Sequence, residues 1–203
     1  MKLNNGFEVK LGEWKAMIYG GPFKHFDPKT RRLIGVKMAV EIVHPHDLSI
    51  PTRDYSIPTL VDLEFGLKET FKFIRLGNDI YAGCMGGIGR TGLFMGCLLK
   101  CIDVYEGKPV DVIGIVARVR EWYNPHAIET KEQLQFVKNF DVSEVVCRMH
   151  ELFDPPIVVT NVVERVVEKV VEKVVEKEVL RDVIVERVLT PWEWFMRFLV
   201  TRG

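Results

Sequence analysis

The chain has 203 residues, 47% of them hydrophobic, with 28 basic and 28 acidic side chains. That length suits one domain with an appendage or two small ones, and the balanced charge excludes the overall footprint of a nucleic-acid binder. No uncharged apolar run approaches the ~20 residues needed to span a bilayer, and the first residues do not resemble a signal peptide.

Residues 14–19 and 36–43 have the character of strands, the second apolar enough to be buried. Gly20-Gly21-Pro22 and Asp27-Pro28-Lys29 are turn material. The spacing of Leu60, Leu63, Leu67, Phe71 and Ile74 predicts a helix over 59–76, stopped at Gly77-Asn78, with a short strand over 79–82. Three more helices are predicted: 91–105, 109–123 with Pro109 in its first turn, and 130–140, opened by the capping-box pattern Thr130 to Gln133. Strands interleaved with helices imply an α/β fold, a mostly parallel central sheet flanked by helices. Pro155-Pro156 marks the expected boundary between a globular domain over 1–154 and a tail over 155–203.

Between the last strand and the next helix lies Cys84-Met85-Gly86-Gly87-Ile88-Gly89-Arg90-Thr91-Gly92. The glycines let the backbone curl so that amides of Met85, Gly86, Gly87, Ile88 and Gly89 point inward. Those amides, a helix N-terminus and the Arg90 guanidinium favour a bound dianion. The same groups favour a thiolate at Cys84, the candidate nucleophile. Thr91 is placed to donate its hydroxyl to sulfur as it leaves. The chemistry implied is phosphoryl transfer through a cysteinyl-phosphate. A core cysteine in a glycine-rich turn is the competing account, and the strand–loop–helix order disfavours it.

Residues 80–92 resemble the phosphate loop of the cysteine-dependent protein tyrosine phosphatase superfamily: a cysteine, five residues, then arginine and serine or threonine. Residues 50–58 resemble the general-acid loop of its compact dual-specificity branch, with Asp54 thirty residues before Cys84. Residues 118–136 are similar to the family's glutamine-bearing segment, and the likeness covers about residues 10–140. The resemblance implies a dual-specificity phosphatase-like fold and a protein phosphatase acting on phosphotyrosine, and on phosphoserine or phosphothreonine as well. It calls for no metal and no cofactor. Asp54 would protonate the leaving oxygen and then take a proton from water, with Asp47 as its competitor. Gln133 aligns with a water-positioning glutamine, though its helix-capping reading stands beside that role. Glu129 sits where phosphotyrosine-specific members often carry glutamine.

Gly83 stands where the family usually has histidine. That departure implies a weaker enzyme, and it keeps open a phosphate-binding scaffold that acts mainly through its tail. Neutral Met85 and Ile88 lean towards phosphoprotein rather than phosphoinositide substrates. Cys97 and Cys101, four apart on one helix face, are expected to pack in the core rather than bind zinc. His44 and His46 are expected in a solvated loop, and Trp122 and Tyr123 in core or helix-end packing. Four cysteines without a secretory signal fit a reducing, cytoplasmic compartment.

Residues 162–177 repeat Val-Val-Glu-Lys with little variation. A period of four drifts about 40° per repeat on a helix and stacks like charges, such as Glu164 on Glu168. As a strand the same repeat gives Val/Glu and Val/Lys faces, suited to pairing between chains. Helical association, extended pairing and disorder all remain open, and self-association or docking on a protein partner through residues 158–203 is the common expectation. Thr190-Pro191-Trp192-Glu193 predicts a short, largely apolar terminal helix.

Overall fold

Strict alternation in Gly6–Leu11 buries Phe7, Val9 and Leu11 and exposes Glu8 and Lys10, which makes this stretch an edge strand, β1. It turns at Gly12 into β2 (Trp14–Pro22), its antiparallel partner. These elements belong to a computed structural model that describes residues 6–154. The repeat and the terminal helix expected in the tail lie outside the described residues.

Three further strands follow: β3 (Leu33–Ala39), β4 (Leu48–Thr52) and β5 (Asp79–Cys84). The sheet order is β1-β2-β5-β3-β4, parallel except for the β1–β2 pair. Central β5 pairs with β2 on one side (Ile18 with Ile80, Pro22 with Cys84) and with β3 on the other (Ile34 with Ile80). Its last five residues are buried, as a parallel strand covered on both faces requires. Cys84 therefore sits at the carboxyl end of the middle strand, where α/β sheets bind their ligands.

Helix α1 (Leu60–Arg75) starts at Thr59, whose hydroxyl accepts from the Asp62 N–H at 3.1 Å, and it packs on β4 and α5. Helix α2 (Gly89–Tyr105) is buried over nearly its whole length and touches β5, α3 (Val112–Trp122), α4 (Lys131–Asn139) and α5 (Ser143–Phe153). No helix among the described residues is long and apolar enough to cross a membrane.

The mostly parallel α/β architecture expected from the sequence is present, with corrections: Gly20-Gly21-Pro22, expected as a turn, is the end of β2, paired with Ala82–Cys84 of β5. β3 ends at Ala39 rather than 43, because the chain turns there, carries Glu41 toward Arg90 and leaves Val43 fully exposed. α3 begins at Val112, leaving Pro109 ahead of the helix instead of in its first turn.

Candidate active site

The loop from Cys84 to Arg90 closes over the end of β5. Gly87 holds a φ of +72°, and a Cβ there would lie 2.3 Å from the backbone of Gly21, so only glycine fits both conformation and space. Its N–H donates to Cys84 Sγ at 3.3 Å. Cys84 is buried except for the face that lines a pocket of about 240 Å³, shared with Met85, Gly86, Ile88 and Arg90 from the loop. Asp54, Tyr55, Glu129 and Gln133 form the remaining wall.

Arg90 is 2% exposed and fully committed at both terminal nitrogens. Nη1 donates to Glu41 Oε2 at 3.0 Å and to the Thr52 carbonyl at 2.9 Å. Nη2 donates to Glu41 Oε1 at 2.5 Å and to Asp54 Oδ1 at 2.8 Å. Burial works against the guanidinium charge, but Glu41, Cys84 and Asp54 more than restore it, so Arg90 stays charged. The hydrogen bond from Arg90 holds the Glu41 carboxyl below its ordinary value against the opposing effect of burial.

Asp54 and Asp47 separate cleanly. Asp54 stands at the pocket, on Arg90, with the Tyr55 N–H on its carboxylate at 3.1 Å. Asp47 instead accepts from the Gly35 N–H at 2.7 Å and donates its own N–H to the Gly35 carbonyl, tying the start of β4 to β3. We therefore expect Asp54→Asn to lower kcat on unactivated aryl phosphates by about 10²–10³-fold with little change in melting temperature. Asp47→Asn should do the reverse, costing about 1 kcal/mol of stability and leaving kcat within about twofold. Steady-state rates and thermal melts of both variants decide the matter.

Gln133 is wholly buried and works as the third residue of a capping box. Its Oε1 accepts from Glu129 and Thr130 N–H groups, and its Nε2 donates to the Ser56 carbonyl at 3.4 Å, bridging α4 to the Asp54 loop. Glu129 brings a carboxylate oxygen over the Gly89 backbone, 2.3 Å from where a Cβ would stand. The Thr91 hydroxyl is buried, beside the hydroxyl of Tyr123.

Gly83 is explained by space. A Cβ at this position would come within 2.7 Å of the Gly21 carbonyl oxygen and 3.0 Å of Phe23. Phe23 fills the site, stacked 5.3 Å from Phe26 and edge-on to His44 at 5.7 Å. Gly83→Ala should destabilise the chain by about 1–3 kcal/mol, read as a lowered denaturation midpoint, and Gly83→His by more. Cys97 and Cys101 are buried core thiols whose ionisation burial pushes well up. His46 is exposed, and half-buried His44 lies against both Phe23 and Phe26.

Two residues in this neighbourhood were not singled out as site residues by sequence: Glu41, hidden in what resembled a continuing strand, and Tyr55, whose φ of 56° carries it to the pocket. The signal for Glu41 was a charged residue interrupting an apolar run; nothing in sequence marked Tyr55.

The family model described as protein-tyrosine phosphatase matches residues 70–142, from the end of α1 through the loop to the last turns before α5. An uncharacterized protein of Methanocaldococcus jannaschii is 31% identical over 93 residues, 46% of this chain and 58% of that one. The rat protein named phosphatidylglycerophosphatase and protein-tyrosine phosphatase 1 is 27% identical over 113 residues, 55% of each. The chain thus spans about half the length of the curated relatives it matches. A crystal structure of PTPMT1 superposes with a TM-score of 0.51 at 16% identity, over 71% of this chain and 99% of that one, a likeness of fold. Over residues 70–142 the loop and its flanking elements are similar to those of the cysteine-dependent protein tyrosine phosphatases.

Proposed function

We propose that this chain hydrolyses phosphate monoesters through a cysteinyl-phosphate, with phosphotyrosine in protein as the favoured substrate. The observation that carries this reading is one small pocket holding Cys84 Sγ and the Arg90 guanidinium, with the Asp54 carboxylate at its wall. All four Nη hydrogens of Arg90 are engaged, so an arriving phosphate displaces its most exposed partner, Asp54. Glu41 stays and fixes the guanidinium plane.

Cys84 Sγ then forms a bond to phosphorus while the ester P–O bond breaks, and Asp54, released from Arg90 and protonated from solvent, gives that proton to the leaving oxygen. Loop amides and Arg90 hold the three remaining oxygens. In the second half water attacks phosphorus, its proton passes to Asp54, and sulfur leaves with the Thr91 hydroxyl donating to it. Tyr55 and Met85, both exposed at the rim, offer apolar surface to an aromatic ring next to the phosphate.

The name of the rat relative favours a second reading, a phospholipid bearing a terminal phosphate monoester. Full-length protein assayed on a phosphotyrosyl peptide and on phosphatidylglycerophosphate vesicles, with acid quench and mass analysis of the Cys84 peptide, tests both. Phosphopeptide turnover with a phosphorylated Cys84 supports the first reading. Turnover of vesicles alone replaces its substrate class, and no turnover or adduct on either overturns the enzyme. Residues 158–203 are proposed as an assembly segment on the strength of their repeat alone.

A further inference from the structure

The loop is backed by a side chain that lies beside Thr91 but to which no step above is assigned. Tyr123 follows α3 and is 7% exposed. Its ring lies against Gly20 of β2, where a Cβ would come within 2.4 Å of ring carbon Cε2. The sequence marks this tyrosine only as core or helix-end packing, yet its hydroxyl donates to the carbonyl oxygen of Gly87 in the loop. Burial, with Cys84 and Tyr81 nearby, pushes its ionisation well up, so the hydroxyl keeps its proton.

A peptide unit is planar and trans, so its C=O and N–H point in opposite directions. With the Gly87 carbonyl turned to buried Tyr123, the Ile88 N–H is turned the other way, and Ile88 lines the pocket. The opposite rotation would aim a carbonyl oxygen at the seat of a dianion. Gly86-Gly87 offers little resistance to such a rotation, since glycine populates both signs of φ. Position 83 has no space for a side chain that could hold the loop.

We propose that Tyr123 is a positioning residue whose hydroxyl locks the Gly87–Ile88 peptide, aiming the Ile88 N–H at the bound phosphate and keeping the Gly87 N–H on Cys84 Sγ. This rests on the loop being a phosphate seat, so the test reads binding rather than turnover. Inorganic phosphate is titrated into the ¹⁵N-labelled full chain, its Tyr123→Phe variant and a Tyr81→Phe variant. The last loses a comparable hydroxyl-to-carbonyl bond, to Pro22, at the same end of the sheet.

In the parent chain the Ile88 amide should move downfield as phosphate binds. Tyr123→Phe should weaken binding by about tenfold or more, the equivalent of one hydrogen bond, and Tyr81→Phe should stay within about twofold. Phosphate binding by Tyr123→Phe within about twofold of the parent overturns the inference, as does equal weakening by Tyr81→Phe. Should Tyr123→Phe fail to fold, the Ile88 amide of the parent decides: a downfield shift supports the locked peptide, and an unmoved amide overturns it alone. Failure of the parent to bind phosphate at all overturns the phosphate seat as well.

Discussion

Cys84→Ser is expected to cut turnover of 4-nitrophenyl phosphate by at least about four orders of magnitude while phosphate binding stays within about threefold. Cys84 Sγ lies at the loop end of the pocket with the Gly87 N–H on it, and sulfur attacks phosphorus far more readily than a neutral hydroxyl does. A serine hydroxyl is almost wholly protonated there, and no residue among its described hydrogen-bond contacts is a base. The fold has little to lose. The serine oxygen is smaller than sulfur and still accepts the Gly87 N–H, so stability should shift by about 1 kcal/mol or less. Residual turnover within about a hundredfold of the parent would remove the covalent mechanism while leaving the anion site intact.

Arg90→Lys should lower kcat/KM by about 10³-fold or more and also weaken the fold, a combination not expected of Cys84→Ser. Lysine keeps the charge but cannot span both Glu41 oxygens, the Thr52 carbonyl and an incoming phosphate at once. Losing these charge-assisted bonds at a buried position should cost about 2–3 kcal/mol in a chemical denaturation curve. A pH signature accompanies the pair. Glu41 ionises more readily folded than unfolded, so its contribution is complete above the ordinary carboxylate range and is lost as pH falls through its lowered folded value. The parent should therefore lose stability below about pH 4 more steeply than Glu41→Gln. Parallel acid titrations of the two would show Glu41 to be idle.

Much of the candidate site was legible because its loop is local. Cys84, Arg90 and the intervening glycines lie within seven residues, and their chemistry follows from order alone. Helices α1, α2 and α4 were equally readable from cap residues and apolar spacing, and the Thr130–Gln133 capping box forms as its pattern implies. β1, β4 and α5 were not singled out, although β1 alternates and α5 buries Val145, Val146, Met149 and Phe153 at helical intervals. β4 is short and resembled loop because Pro51 sits inside it, which an outer strand of the sheet tolerates. Glu41 and Tyr123 escaped for a different reason. Each reaches the loop across tens of residues, from a turn and from a helix end, and only the sheet order brings them there.

On the function proposed above, the fourfold engagement of the Arg90 terminal nitrogens gives phosphate binding the character of an exchange reaction. The incoming anion replaces a carboxylate already at the guanidinium, so the net gain is a difference between two ion pairs rather than the whole of one. A monoanion such as chloride or acetate repeats what Asp54 already provides and gains little by the trade. A dianion brings more charge and enough oxygens to meet the loop amides as well. Discrimination by charge state is thus built into the resting arrangement, before any part of a substrate beyond its phosphate is felt.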